Sequence, residues 1–279
     1  MADSLDPNVG IQFAMLVQDA ENVPPDQTVY QPGNVINVTY DAINVNYTVV
    51  TTFYGNDLAT DANPDADKAI VSFGFVAQDA AGNAVVAIRG TEGIKEWVQD
   101  IKFLAVKCPF LAGAGLTEDG FTAVYQSLRT TQDPGSTRLV DALPGMAFPK
   151  PITSLTITGH SLGGALATLL SLDVGANTAF GKILTSITYA SPRTGDPSFA
   201  DTYNQVVPDT TRYANRVDIV PKLPVPPLYE HVSVGVELNP LFQVKLDILC
   251  QHHLTTYMFL LSKLTGGTIL PLDQGCAGI

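Results

Sequence analysis

Positive charge is scarce in this chain. Its 279 residues hold 15 Lys and Arg against 27 Asp and Glu, a formal net charge of −12. That balance excludes nucleic acid as a partner, because phosphate recognition needs clustered Lys and Arg. An acidic surface also gains nothing from anionic lipid head groups, so uncharged substrates are expected. Long apolar runs are missing too. No stretch approaches the roughly 20 residues that span a bilayer, which predicts a soluble chain with no integral membrane segment. The opening MADSLDPNVG has neither a basic nor an apolar leader region, so no signal peptide is expected there; this fits a cytoplasmic chain or one whose signal has been removed. Cysteine is limited to Cys108, Cys250 and Cys276, with no metal-type spacing among them. Three cysteines allow one disulfide plus a free thiol, or three inert thiols, and nothing in the spacing selects a pair.

What is present is core-forming material: 46% of the residues are hydrophobic and 15% charged, the balance of a globular protein. Asp6-Pro7 before Ile11 to Ala20 predicts a capped helix. Val45 to Tyr54 reads as a strand, and Asn56 to Lys68 as a surface loop. Ala69 to Val76 and Ala84 to Ile88 read as a hairpin. Ile94 to Phe103 has helical spacing around Trp97, the one tryptophan. Lys107 to Leu116 is loop-like, Phe121 to Leu128 is helical in pattern, and a Pro- and Gly-rich linker runs to Pro151. Ser186 to Ala190, Thr211 to Asn215 and Val232 to Leu238 are strand-like, and His252 to Leu264 predicts a last helix. Strands alternating with helices, with no repeat and no boundary, predict one α/β domain over residues 1–279.

The most informative stretch is LTITGHSLGGALATLLSLDVG, Leu155 to Gly175. A short β-branched strand, the turn Gly159-His160-Ser161-Leu162-Gly163 and an apolar helix follow one another in the order of a nucleophile elbow, with Ser161 at the tip. The flanking glycines have a steric reason, since side chains at Gly159 or Gly163 would strike the crowded strand and helix backbones. Gly175 is expected to stop the helix. The bare GxSxG pattern arises by chance in roughly one chain in ten of this length, so the surrounding chemistry must carry the reading.

A serine nucleophile needs a base, usually His, oriented by a carboxylate. In the α/β-hydrolase arrangement the chain order is Ser, acid, His. Of Asp173, Asp196, Asp201, Asp218 and Asp247, Asp218 is favoured because it sits just past a predicted strand, where the sites of open α/β sheets gather. Either His252 or His253 is the base. His231, flanked by strand residues, reads as structural. His160 is too close in sequence to reach the Ser161 hydroxyl and is given a packing role. The oxyanion donor after the nucleophile is the Leu162 N–H. This chemistry requires no metal or organic cofactor.

These segments together resemble the fungal-type (class three) lipase family of the α/β-hydrolase superfamily. Ala87-Ile88-Arg89-Gly90-Thr91 resembles its F-R-G-T strand end, Trp97 to Asp100 its W-x-x-D, and Gly120-Phe121 with Tyr125 its G-F-x-x-x-Y. Gly159 to Gly164 matches its GHSLGG. Tyr189 to Arg193 resembles F-G-x-P-R, with Ala190 and Ser191 as departures, and Asn215 to Pro221 resembles N-x-x-D-x-V-P. Tyr229 to Ser233 resembles Y-x-H-V-G. His252 to Tyr257 resembles H-x-L-x-x-Y, which favours His252 over His253. Ile88 and Ser233, where the family has an aromatic and a glycine, read as packing variations. The resemblance implies an α/β-hydrolase fold, with a single mostly parallel central sheet flanked by helices. It implies a triad of Ser161, Asp218 and His252, and a second oxyanion donor at Thr91. It also implies a lid around residues 92–105, against which stands an ordinary surface helix burying Trp97, Ile101 and Leu104. Pro221 to Leu228 reads as a rigid loop rather than a wall of the acyl site. The expected activity is serine carboxylic-ester hydrolysis, most simply of acylglycerols at a lipid–water interface, by a secreted protein. Esterases of short or feruloyl-type esters, phospholipase A1 and a non-catalytic binding module are the alternatives.

Overall fold

The computed structural model describes residues 6–23, 30–56, 70–91 and 103–278. Helix α1 (Pro7–Glu21) starts as expected: the Asp6 carboxylate accepts the Asn8 N–H, and proline occupies the first turn. There follow β1 (Val35–Tyr40), β2 (Ile43–Asn56), β3 (Ile70–Asp79), β4 (Asn83–Ile88), β5 (Ala105–Lys107) and β6 (Leu116–Glu118). Then come α2 (Asp119–Ser127), α3 (Leu139–Ala142), β7 (Ser154–His160), α4 (Leu162–Asn177), β8 (Leu184–Tyr189) and α5 (Pro197–Val206). The chain closes with β9 (Thr210–Asn215), β10 (Gly235–Leu238), α6 (Ile248–His252) and α7 (Leu254–Thr265). The expected loop at Asn56–Lys68 falls almost entirely outside the described residues, as does the expected helix at Ile94–Phe103.

Eight strands form one sheet in the order β1-β2-β3-β4-β7-β8-β9-β10. The first four are joined by antiparallel pairing, and from β4 to β10 every pairing is parallel. Period-2 alternation divides the side chains between two cores. In β4, Ala84, Val86 and Ile88 face α2, α4 and α5, while Val85 and Ala87 face α1. On the α1 side, α7 completes the cover over β8, β9 and β10. Strands buried on both faces read as continuous apolar runs, which is why β4 is legible as Ala-Val-Val-Ala-Ile. Helix α4 is buried along its whole length from Leu162 to Val174, as a helix that is apolar all round must be.

Several expectations need correction. Gly175 does not stop α4, which runs on to Asn177 and is closed by Thr178. The glycine serves close packing instead: a Cβ there would lie 2.9 Å from Val206 Cγ1. Strand β1 was not anticipated, although Ile36, Val38 and Tyr40 alternate inward from exposed neighbours. The loop-like Lys107–Leu116 is the connection of a two-stranded antiparallel sheet, β5 with β6. Only the end of the Val232–Leu238 run pairs, as β10. His252 and His253 do not open a helix. His252 is the last residue of α6, and His253, extended at φ −53 and ψ 139, separates it from α7. Of the predicted lid, residues 92–102 lie outside the described residues; Leu104, expected to pack inward, is 59% exposed.

A disulfide joins Cys250 in α6 to Cys276 near the C-terminus, leaving Cys108 as a buried free thiol. The loop between the partners spans 26 residues. Replacing Cys276 by Ser is expected to cost about 3 kcal/mol, read as a lower urea midpoint; an unchanged midpoint would show that the clip adds nothing.

Candidate active site

The C-terminal ends of β4, β7, β8 and β9 lie side by side in the parallel half of the sheet, the edge where sites of α/β sheets form. Past β7, Ser161 turns the chain at φ 57 and ψ −124. A residue other than glycine in such a region costs about 1–3 kcal/mol, so the surroundings must impose it. Its N–H donates to Tyr189 O at 3.0 Å, and its carbonyl accepts the Gly164 N–H at 2.9 Å. Strand and helix close against each other so tightly that a Cβ at Gly159 would sit 2.2 Å from Gly163 O, and one at Gly163 2.4 Å from the carbonyls of Ile88 and Arg89.

The Ser161 side chain, 1% exposed, lies 2.8 Å from His252 Nε2. The other ring nitrogen, Nδ1, lies 2.8 Å from Asp218 Oδ2. A carboxylate opposite Nδ1 calls for Nδ1–H, which leaves Nε2 to accept from the serine hydroxyl. Asp218 is held in turn: Oδ1 accepts the Val220 N–H at 3.0 Å and Oδ2 accepts the Tyr257 hydroxyl at 2.8 Å. That hydroxyl accepts the Asn215 N–H at 3.0 Å. Burial, then the neighbouring Asp218, push the Tyr257 phenol well above its ordinary range, so it remains a donor. Burial pulls the His252 imidazole below its ordinary value; Asp218 opposes this and His160 adds to it.

The end of the site built from β4 and α4 holds free hydrogen-bonding groups among the described residues. Leu162 is the first residue of α4, so its N–H has no acceptor within the helix. Gly90 packs against the turn, with Ser161 Cβ 3.2 Å from where its own Cβ would be, which brings Thr91 alongside the serine. The Thr91 hydroxyl is buried without a hydrogen-bond partner among the described residues. Arg89, also buried, anchors this corner by donating to Ser72 O at 2.6 Å and Gly90 O at 3.1 Å. A cavity of about 370 Å³ opens beside it, lined by Glu21, Arg89, Thr91, His160, His252 and His253 among others. No cluster of three or more His, Cys, Asp or Glu suited to a metal is found among the described residues.

His253 points elsewhere, its Nδ1 2.5 Å from Asp273. His231 donates from Nε2 to Pro221 O at 2.6 Å, and burial with the nearby Arg212 pushes its imidazole down to about 3, so it is a neutral brace. Arg193 fixes the same loop by donating to the Pro224 carbonyl at 2.8 Å, which makes Pro221–Leu228 a pinned segment. The packing role given to His160 is too small: its ring nitrogens contact Glu21 and the His252 carbonyl, each at 2.8 Å.

The class 3 lipase family model matches residues 85–227, just over half of the chain. The chain belongs to this family. The secreted mono- and diacylglycerol lipase A of Penicillium camembertii is 33% identical over 163 residues, covering 57% of this chain and 50% of that protein. Phospholipase A1-II 4 of Oryza sativa subsp. japonica is 32% identical over 176 residues, covering 56% and 43%. The chain thus spans about half the length of the curated relatives it matches. Among solved structures, the nonglycosylated LIP2 lipase of Yarrowia lipolytica superposes with a TM-score of 0.57 at 22% identity, covering 86% of this chain and 82% of that one. The shared architecture is the α/β-hydrolase fold.

Two departures from the class 3 lipase motifs are backbone matters rather than packing. Ala190 and Ser233, where the family carries glycine, have φ of 51 and 54. Ser233 is held there by two bonds it donates, from its N–H to Asn204 Oδ1 at 2.7 Å and from its hydroxyl to Thr210 O at 3.0 Å. Ile88, another departure, does pack in the core. Sequence reasoning missed Glu21, because nothing in a helix C-terminus 139 residues away signals a partner for His160. It also missed Gln251, which accepts both Asn215 amide hydrogens and donates to Val244 O and Lys245 O. Tyr257→Phe leaves the buried Asn215 N–H without its acceptor; a stability loss of about 1–3 kcal/mol is expected, measured by chemical denaturation, and a neutral outcome would remove Tyr257 from the supporting network.

Proposed function

We propose that this class 3 lipase family member is a serine carboxylic-ester hydrolase acting on acyl esters of glycerolipids, with Ser161 as nucleophile, His252 as base and Asp218 as the orienting acid. The observation that carries this reading is the unbroken line from Ser161 Oγ through His252 to Asp218, each link 2.8 Å, set on a strained turn at the edge of a parallel sheet. Ser161 Oγ attacks the ester carbonyl while its proton passes to His252 Nε2. The carbonyl π pair moves onto oxygen, and the N–H groups of Leu162 and Thr91 stabilise that oxyanion, with the unpartnered Thr91 hydroxyl in reserve. Each such donor is worth on the order of 3 kcal/mol in the transition state. The tetrahedral intermediate collapses as the alkoxide leaves with the proton from His252, giving an acyl-Ser161. Water, deprotonated by the same imidazole, releases the acid and restores the serine.

The names of the relatives include mono- and diacylglycerol lipases and phospholipases A1, and both groups of names denote acyl-ester cleavage on glycerol. Glycerolipid esters are therefore the substrate class we assign. Secretion belongs to the same proposal, supported by relatives named as secreted and by the Cys250–Cys276 disulfide, which suits an oxidising compartment. No helix among the described residues is long and apolar enough to cross a membrane. One α/β-hydrolase unit carries the whole arrangement in this reading.

Ser161→Ala is expected to abolish ester hydrolysis and fluorophosphonate labelling while the fold persists; turnover near wild type would sink the assignment, and an unlabelled serine would point to a binding module. A p-nitrophenyl ester series tests the substrate: long chains with a rate jump above the solubility limit support a lipase, and a smooth preference for acetate or butyrate supports a soluble-ester esterase. His252→Ala is expected to be far more damaging than His253→Ala. Because neutral His252 is the base and its imidazole is lowered, kcat/KM is expected to fall with acid only below the ordinary imidazole value of about 6.5. An acid limb above that value would contradict the assignment.

A further inference from the structure

The described cavity wall holds a second carboxylate–imidazole pair that the reaction above does not use. His160 Nε2 lies 2.8 Å from the His252 carbonyl oxygen. That oxygen only accepts, so Nε2 carries a hydrogen. His160 Nδ1 lies 2.8 Å from Glu21 Oε1, and the same Oε1 accepts the Gly90 N–H at 3.2 Å. The Glu21 carboxyl lies below its ordinary range, so at neutral pH Oε1 is a carboxylate oxygen that only accepts, which places a second hydrogen on Nδ1. His160 is then an imidazolium, and its ring lies beside that of His252, centroids 4.7 Å apart and tilted by 36°.

We propose that Glu21 and His160 are positioning residues for the ester hydrolysis: a buried carboxylate–imidazolium pair that ties the His252 backbone to Gly90 and sets a positive charge against the His252 ring. This rests on the triad reading. One end of the pair touches the residue that carries the base, and the other touches the residue before Thr91, so a single ion pair fixes the spacing between base and oxyanion donors. The charge has its own effect. When His252 takes the serine proton it becomes a second cation next to His160, so His252 holds that proton weakly and passes it readily to the departing alkoxide.

The electrostatics agree in sign. Burial would drive the His160 imidazole down, but the Glu21 carboxylate overrides it and leaves it raised. Burial would drive the Glu21 carboxyl up, but His160 and the Gly90 N–H leave it lowered. The pair therefore stabilises the fold between those two midpoints. Its contribution is lost as pH falls through the depressed Glu21 midpoint, and lost as pH rises through the elevated His160 midpoint. The groups facing His252 are Ser161, Asp218, His160 and, beyond it, Glu21; Tyr257 touches Asp218 and lies edge-on to the His160 ring, and Arg89, His253 and Asp273 line the same cavity.

Imidazole NMR titration of the full chain tests this without turnover. In the wild type, His160 is expected to stay doubly protonated through the range where His252 titrates; a neutral His160 at about pH 6.5, the ordinary imidazole midpoint, overturns the proposal. In Glu21→Gln, His160 loses its counter-charge and is expected to bind its proton at least tenfold more weakly, while His252 binds its own about threefold to tenfold more tightly. The acid limb of kcat/KM should move to higher pH with His252, and Glu21→Asp, which keeps the charge, should move it back. A Glu21→Gln protein with lowered stability but an unmoved His252 midpoint would reduce the pair to a structural brace. Should that variant not fold, His160→Gln removes the same cation and is read the same way. Midpoints that shift as expected in a chain without esterase activity would keep the buried ion pair and overturn its positioning role together with the triad reading.

Discussion

A serine backbone held at φ 57 is the constraint on which the rest of this structure depends. The turn is unfavourable for any residue with a side chain. It persists because β7 is paired on both sides and α4 is buried from end to end, so the two elements can be joined only by a sharp reversal. The glycines at 159 and 163 are the cost of that reversal in sequence terms, since each lies within clashing distance of a backbone carbonyl. The reversal in turn sets Ser161 Oγ against His252 Nε2 and leaves the first N–H of α4 without an acceptor in its own helix.

His252, the proposed base, reaches this point by a different route. After β10 there is little regular structure before α6, so His252 is placed by a chain of polar contacts rather than by a sheet. Gln251 grips the carbonyls of Val244 and Lys245 on one side and Asn215 on the other. Asn215 is tied to Tyr257, and Tyr257 to Asp218. Asp247 caps α6 by accepting the N–H groups of Leu249 and Cys250, and the disulfide at Cys250 clips that helix to the C-terminal tail. Asp218 and His252 thus share supports, so a shift in one is felt by the other.

This difference explains what was legible in the sequence. The elbow, the parallel strands and the hairpin of β3 and β4 are short-range patterns: apolar alternation, turn residues and glycines at fixed offsets. Ser161 and Asp218 lie at the ends of such strands and could be found from them. The two-helix junction at His252 and His253 could not, because its geometry is set by Gln251 and the disulfide, contacts that no local pattern encodes. A helical phase of 100° per residue, the natural guess for neighbouring histidines, does not apply where His253 is extended. Glu21 was invisible for the same reason. Its partner is 139 residues away, and its position at the end of α1 is fixed by how that helix lies across the sheet.

Two carboxylate–imidazole pairs stand side by side here, with the same chemical parts and opposite states. Asp218 faces His252 Nδ1, and Glu21 faces His160 Nδ1, both at 2.8 Å. What differs is the group at the far nitrogen. Behind His252 Nε2 is a serine hydroxyl, which can donate, so the ring is satisfied while neutral and free to take a proton. Behind His160 Nε2 is a peptide carbonyl, which cannot donate, so the ring is satisfied only when it carries both protons. Burial penalises the charged form of both rings, and the hydrogen-bonding demand decides between them. In the proposed reaction a proton acceptor and a fixed cation are thereby made from the same residue type within one stacking distance, and the second limits how long the first can hold the proton it removes.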